Sequence, residues 1–187
     1  MEYNIYYQLY NLAFYMFCVY YHFVINNNCT IDLDNINNNI CSINFNTYNN
    51  ILLFYFIIDT FFINKSIDLL HHSVSIILVY LFNPQNIIYV YILKLLLLTE
   101  TSSMFLSLSQ LASRTVKIIL KTLFAILFLT IRTYVYYCLN FKIYNQLKLS
   151  NTSDLVIIIL IKMMTLLHIY WSYLIIYKLV SIISKKN

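Results

Sequence analysis

From Asn86 to Leu111 the chain reads NIIYVYILKLLLLTETSSMFLSLSQL, and Lys94 and Glu100 are its only charged residues. A run this long and apolar predicts a helix able to span a bilayer, which takes ~20 residues. Similar charge-poor runs recur. The first is Leu9 to Ile25, with His22 near its end. The second runs from about Ile51 to Ile63, with a start that reaches back toward Thr47, and contains Asp59. The third is Ile67 to Phe82, and Asn83-Pro84-Gln85 turns the chain into the fourth, since proline cannot continue a helix interior. The fifth is Val116 to about Leu139 and the sixth Leu155 to Ile183. Spans three and four are alternatively a re-entrant hairpin. The expected fold is all-α: a polytopic transmembrane helix bundle of about six spans, or five.

Composition agrees. The chain is 61% hydrophobic and 10% charged, with no Gly and one Pro. A soluble domain carries about 25% charged residues, so one soluble core of this size cannot hide the apolar excess. Leu9 to Ile25 lacks a basic flank and a small-residue cleavage site, so it is expected to stay as a signal anchor.

Orientation follows from Lys and Arg in short loops. With the N-terminus cytosolic, Lys65, Arg114, Lys117, Lys121, Lys185 and Lys186 fall on the cytosolic side, against Lys142 and Lys148 opposite. Both termini are therefore expected in the cytosol. The net charge of +5 is explained by this topology. No basic face with interleaved aromatics stands out, so a nucleic-acid partner has little support. The Asn-rich loop Asn26 to Asn50 has no Lys or Arg and falls on the lumenal side. It holds Cys29 and Cys41, which are either bridged or two unpaired thiols. Asn28 and Asn151 begin glycosylation triplets, and Cys18 and Cys138 read as small apolar packers.

The ionisable residues within spans carry the functional signal, because each is costly in hydrocarbon unless it faces protein, pairs or does chemistry. Asp68 lies three and four residues before His71 and His72, so it shares a helix face with them and can accept a His N–H. The alternative is an acid capping a helix start beside two interfacial histidines. Glu100, followed by Thr101, Ser102 and Ser103, lies deep in the fourth span and Arg132 in the fifth. An ion pair or hydrogen-bonded network between Glu100 and Arg132, direct or through water, would relieve both burials, and Lys94 could snorkel or join it. Asp59, His168 and Trp171 complete the polar set, with Lys162 six residues before His168. The candidate polar cavity is thus Asp59, Asp68, His71, His72, Glu100, Ser102, Arg132, His168 and Trp171. His71, His72 and Glu100 are its candidate catalytic groups, none of them firm.

Neither an HExxH nor a CxxC spacing is present, and adjacent histidines make poor joint ligands, so no metal and no other cofactor is expected. A serine hydrolase would want a glycine-flanked nucleophile elbow, and the chain has no glycine.

The pieces Tyr55-Phe-Ile-Ile-Asp59, Leu70-His71-His72-Ser73-Val74-Ser75 and Leu97-Leu-Thr-Glu100-Thr-Ser-Ser-Met-Phe-Leu106, with Arg132 and Trp171 after them, resemble the TLC-domain family of multi-pass, endoplasmic-reticulum-type lipid proteins. The resemblance covers Ile51 to Ser184. It implies residues 1–50 as an N-terminal span and lumenal loop, 51–184 as the lipid-handling transmembrane domain, and 185–187 as a basic tail. Ceramide synthases of that family carry a second pair, His-Asp, where this chain has Thr99-Glu100. The resemblance is therefore to the non-synthase branch, linked to phospholipid composition, membrane fluidity or lipid trafficking. Met104 replaces the family's proline and Phe54 its glycine.

The resemblance implies a membrane lipid as partner, bound, sensed or trafficked without established catalysis. One alternative is an N-acyltransferase of ceramide-synthase type, with His71 or His72 as base. The other is a small transporter or channel lined by Asp59, Glu100 and Arg132. The lipid and the oligomeric state are left open.

Overall fold

The computed structural model describes residues 5–30, 40–41, 43–62, 65–83, 85–147 and 151–184. The expectations for Pro84, Lys148, Lys185 and Lys186 fall outside these residues.

The described residues form six α-helices: α1 Ile5–Asn28, α2 Phe45–Thr60, α3 Ser66–Tyr80, α4 Ile87–Leu111, α5 Arg114–Tyr137 and α6 Thr152–Ser184. The only described extended structure is an antiparallel pairing of Cys29–Thr30 with Ile40–Cys41, which sets Cys29 opposite Cys41. Cys29 is disulfide-bonded, while Cys18 and Cys138 are free and buried. The fold is all-α, as its apolar runs predict.

Asparagine starts several of the helices. Asn44 accepts from the Asn46 amide at 3.2 Å, Asn86 from Ile88 at 3.0 Å and Asn151 from Ser153 at 3.1 Å. Each satisfies an amide that the first helical turn leaves without a partner. The turn before α4 is tightened by Asn83, whose side chain accepts from the Gln85 amide. No described residue has positive φ, so a chain without glycine needs no left-handed position here.

Helix α4 lies at the centre, against α1 on one side and α5 on the other, while α3 packs on α2 and α6. Its sequence explains why: it is apolar all round, and such a helix belongs inside. Tyr89, Ile92 and Leu95 enter one core cluster with α3, α5 and α6. Val90, Leu93 and Leu97 enter a second with α1 and α2. Helix α5 continues through a π-helical turn, Cys138–Ile143, and a 3-10 turn, Tyr144–Gln146. Asn140 in the π turn donates to Thr165 of α6 and accepts from Lys162 at 2.7 Å.

Three helical segments, Ile87–Leu111, Arg114–Gln146 and Thr152–Ser181, are long and apolar enough to cross a membrane. Large apolar side chains cover the outer faces of α5 and α6, among them Ile118, Ile126, Phe141, Leu166, Ile169 and Tyr177. Soluble monomers rarely expose apolar surface on that scale, and hydrocarbon is its natural neighbour. The other helices differ from the six full spans expected. Helices α2 and α3 have 16 and 15 residues, short of the ~20 that a span takes. Helix α1 has 24 but carries Gln8 and Asn11, both buried toward the bundle.

Candidate functional site

The structure brings the costly polar residues of four helices to one place. A cavity of about 420 Å³ is lined by Asp59 from α2, by Asp68, His71 and His72 from α3, by Glu100 from α4 and by Arg132 from α5. Trp171 from α6 closes it, with Tyr7, Phe14 and Tyr15 of α1 and Tyr55 of α2 on the walls. Ser102 and His168 are buried against Arg132. Packing explains the convergence, since a charged side chain in an apolar bundle is least costly where it turns toward other polar groups.

At one end, Asp59 joins three helices. Its Oδ1 accepts from the Tyr7 hydroxyl at 2.8 Å, and its Oδ2 lies 3.3 Å from His72 Nε2. Asp59 is 4% exposed, so these two groups supply the solvation that burial removed. The Tyr55 hydroxyl, one turn earlier, donates to Asn11 at 3.0 Å, and its ring stacks on Phe14. From His72 a row of rings crosses the bundle. His71 lies 5.3 Å from His72, and His168 lies 6.0 Å from His71, centroid to centroid. Trp171 packs edge-on against both His71 and His168.

At the other end, Arg132 is 5% exposed. Its Nη1 donates to the His168 ring at 2.9 Å, its Nη2 to Ser103 Oγ at 3.1 Å and its Nε toward Ser102 Oγ at 3.4 Å. The guanidinium also lies over the Phe128 ring, 4.3 Å from its centroid, in cation–π geometry.

One expectation from sequence needs correction. His72 is held by Asp59 of the neighbouring helix, not by Asp68, because the packing of α2 on α3 brings residue 59 to its Nε2. Glu100 and Arg132 share the cavity, with no direct ion pair between them, and Ser102, Ser103 and His168 take up the guanidinium. Of the two alternatives for Lys94, joining the network is not seen, since Lys94 does not line the cavity; its backbone carbonyl pairs with His22 Nδ1 at 2.9 Å. Lys162 likewise turns to Asn140, away from His168. Sequence reasoning missed Tyr7 and Ser103. Tyr7 carries no charge to mark it, although Gln8 and Asn11 beside it show that α1 turns polar groups inward.

Chemically, the site is a row of acceptors and donors with places unfilled. With Nε2 of His72 donating to Asp59, its Nδ1 is left as an acceptor. Nδ1 of both His71 and His72 is buried without a hydrogen-bond partner. A buried polar atom in that state costs about 1–3 kcal/mol, which a hydroxyl or amine entering the cavity would relieve. Among the described residues no group of three or more His, Cys, Asp or Glu is placed to hold a metal ion.

A second, apolar chamber of about 60 Å³ adjoins the first. Leu52, Leu78, Leu93 and Leu97 line it, and Phe56, His71 and Glu100 belong to both. Compared with protein-family models, with curated proteins and with solved structures, the chain gives no match.

Proposed function

We propose that this chain is a multi-pass membrane protein of TLC-domain type that binds, senses or traffics a membrane lipid. One observation carries the reading: a polar cavity and a small apolar chamber adjoin, sharing Phe56, His71 and Glu100 as lining residues. That is the shape of an amphiphile, with a headgroup among charged residues and a chain among leucines. The polar cavity falls within the 300–1,000 Å³ typical of ligand sites. The pieces around Asp59, His71-His72 and Glu100 that resemble the family all line it, which supports the same reading.

The test is lipid extraction from protein purified in mild detergent, beside lipidomics of expressing cells. Wild type is expected to carry a defined lipid class, and His71→Ala/His72→Ala to lose it. An unchanged lipid complement in the double variant would reject the site.

The Asp59–His72 contact favours a second reading, an N-acyltransferase of ceramide-synthase type. An acid that orients a histidine raises its basicity. The first reading ranks higher because Thr99, standing where the synthase branch has its second histidine, is buried and donates to the Leu96 carbonyl at 2.6 Å. Purified protein given a sphingoid base and acyl-CoA is expected to form no ceramide. Robust formation, lost in the same double variant, would reverse the ranking.

The proposed location is an endoplasmic-reticulum-type membrane with both termini cytosolic, supported by the Lys and Arg of the short loops. Tags at the two ends should be digested together when protease is added to sealed microsomes. Protection of one tag alone would require an odd number of crossings.

A further inference from the structure

Arg132 is buried, yet every side chain that holds it is neutral: Ser102, Ser103, His168 and the Phe128 ring. It makes no ion pair with a described carboxylate. Glu100 lines the same cavity and accepts no hydrogen bond from a described residue. Glu100 and Ser103 lie three apart on α4, so they share a face with Cβ atoms about 5–6 Å apart. One wall therefore presents, a helical turn apart, a cation with a hydroxyl beside it and an anion, with no direct ion pair between them among the described residues.

Resting on the lipid reading above, we infer that the cavity selects a zwitterionic headgroup, a phosphodiester carrying an ammonium group one short linker away. The phosphate sits on Arg132 and Ser103, where a guanidinium and a hydroxyl offer charge-assisted hydrogen bonds. The ammonium sits at Glu100, among the Tyr15 and Tyr55 rings that line the cavity and can add cation–π attraction. Of the other charges lining the cavity, Asp68 and Lys65 have opposite signs, and Asp59 already accepts from the Tyr7 hydroxyl and lies 3.3 Å from His72 Nε2, which leaves it less open to a ligand. A purely anionic headgroup would meet Glu100 unpaired, and a purely cationic amphiphile would meet Arg132. A ligand with both charges sets an opposite charge against each of the two groups.

Trp171 is the only tryptophan and lines the cavity, so its fluorescence reports binding. Full-length protein in detergent is titrated with three amphiphiles of identical chains: a phosphatidylcholine, a phosphatidylglycerol and a trimethylammonium-propane diester. The phosphatidylcholine is expected to bind at least about tenfold tighter than either. Glu100→Gln, which removes no hydrogen bond from the fold, should erase the preference over phosphatidylglycerol. Equal or tighter phosphatidylglycerol binding by wild type, or an unchanged ratio in Glu100→Gln, overturns the zwitterion assignment while leaving the lipid reading standing. Binding of none of the three overturns the lipid reading itself. Soluble glycerophosphocholine is expected not to compete; competition equal to that of the lipid would identify a free headgroup as the ligand and overturn the assignment to lipid.

Discussion

Arg132→Met is expected to stabilise the protein by about 2 kcal/mol while abolishing lipid retention. The two effects share one cause. A guanidinium at the centre of a membrane helix costs about 2.5–3.5 kcal/mol to insert, and its partners here are neutral groups that can manage without it. Ser102 already donates to the Thr99 carbonyl at 2.9 Å. His168 packs 4.5 Å, centroid to centroid, from Tyr136, whose hydroxyl is buried without a partner and can turn to it. Methionine keeps most of the volume and fits an irregular site. Arg132→Ala lacks that compensation and should lower stability through the void it leaves. Unfolding by SDS titration from mixed micelles reads stability, and mass spectrometry of co-purified lipid reads retention. A loss of about 2 kcal/mol or more in Arg132→Met would mean that the guanidinium braces α4, α5 and α6 as a structural strut.

Asp59→Ala is expected to act in the opposite direction, destabilising by about 3 kcal/mol. It takes the acceptor from both the Tyr7 hydroxyl and His72 Nε2, at about 1–3 kcal/mol for each buried group left unmatched. Tyr7→Phe removes one partner and leaves Asp59 bound to His72, so it should cost about 1 kcal/mol. The double variant separates the shares: once Asp59 is alanine, Tyr7→Phe should cost nothing further, because the hydroxyl has no acceptor left to lose. If the two losses simply add, the contact contributes nothing to the fold.

Much of this is legible in the sequence, and the limit has a physical form. Apolar length alone marks α4, which supplies side chains to both core clusters, so no one-sided pattern is needed to read it as a helix. Glu100 and Arg132 are marked by the cost of a charge among leucines, and that cost does send both to one cavity. Their partners are a different matter. Spacing along a helix names only neighbours on the same helix, so it offers Asp68 to the histidines, whereas the partner of His72 comes from α2. The same limit hides Ser103, whose hydroxyl looks satisfied by its own helix until α5 packs beside it. The π-helical turn at Cys138–Ile143 carries no signature that propensity can read, since only packing of Asn140 toward α6 makes use of it.

Phe56, His71 and Glu100 are walls of both cavities, and this makes the two spaces thermodynamically linked. An occupant of the apolar chamber fixes the rotamers that the polar cavity presents, and an occupant of the polar cavity fixes those that close the chamber. Reciprocity then requires that each raise or lower the affinity of the other by the same factor. A molecule that fills both at once meets that linkage within itself, so shortening its apolar part weakens the grip on its polar part although no polar contact has changed.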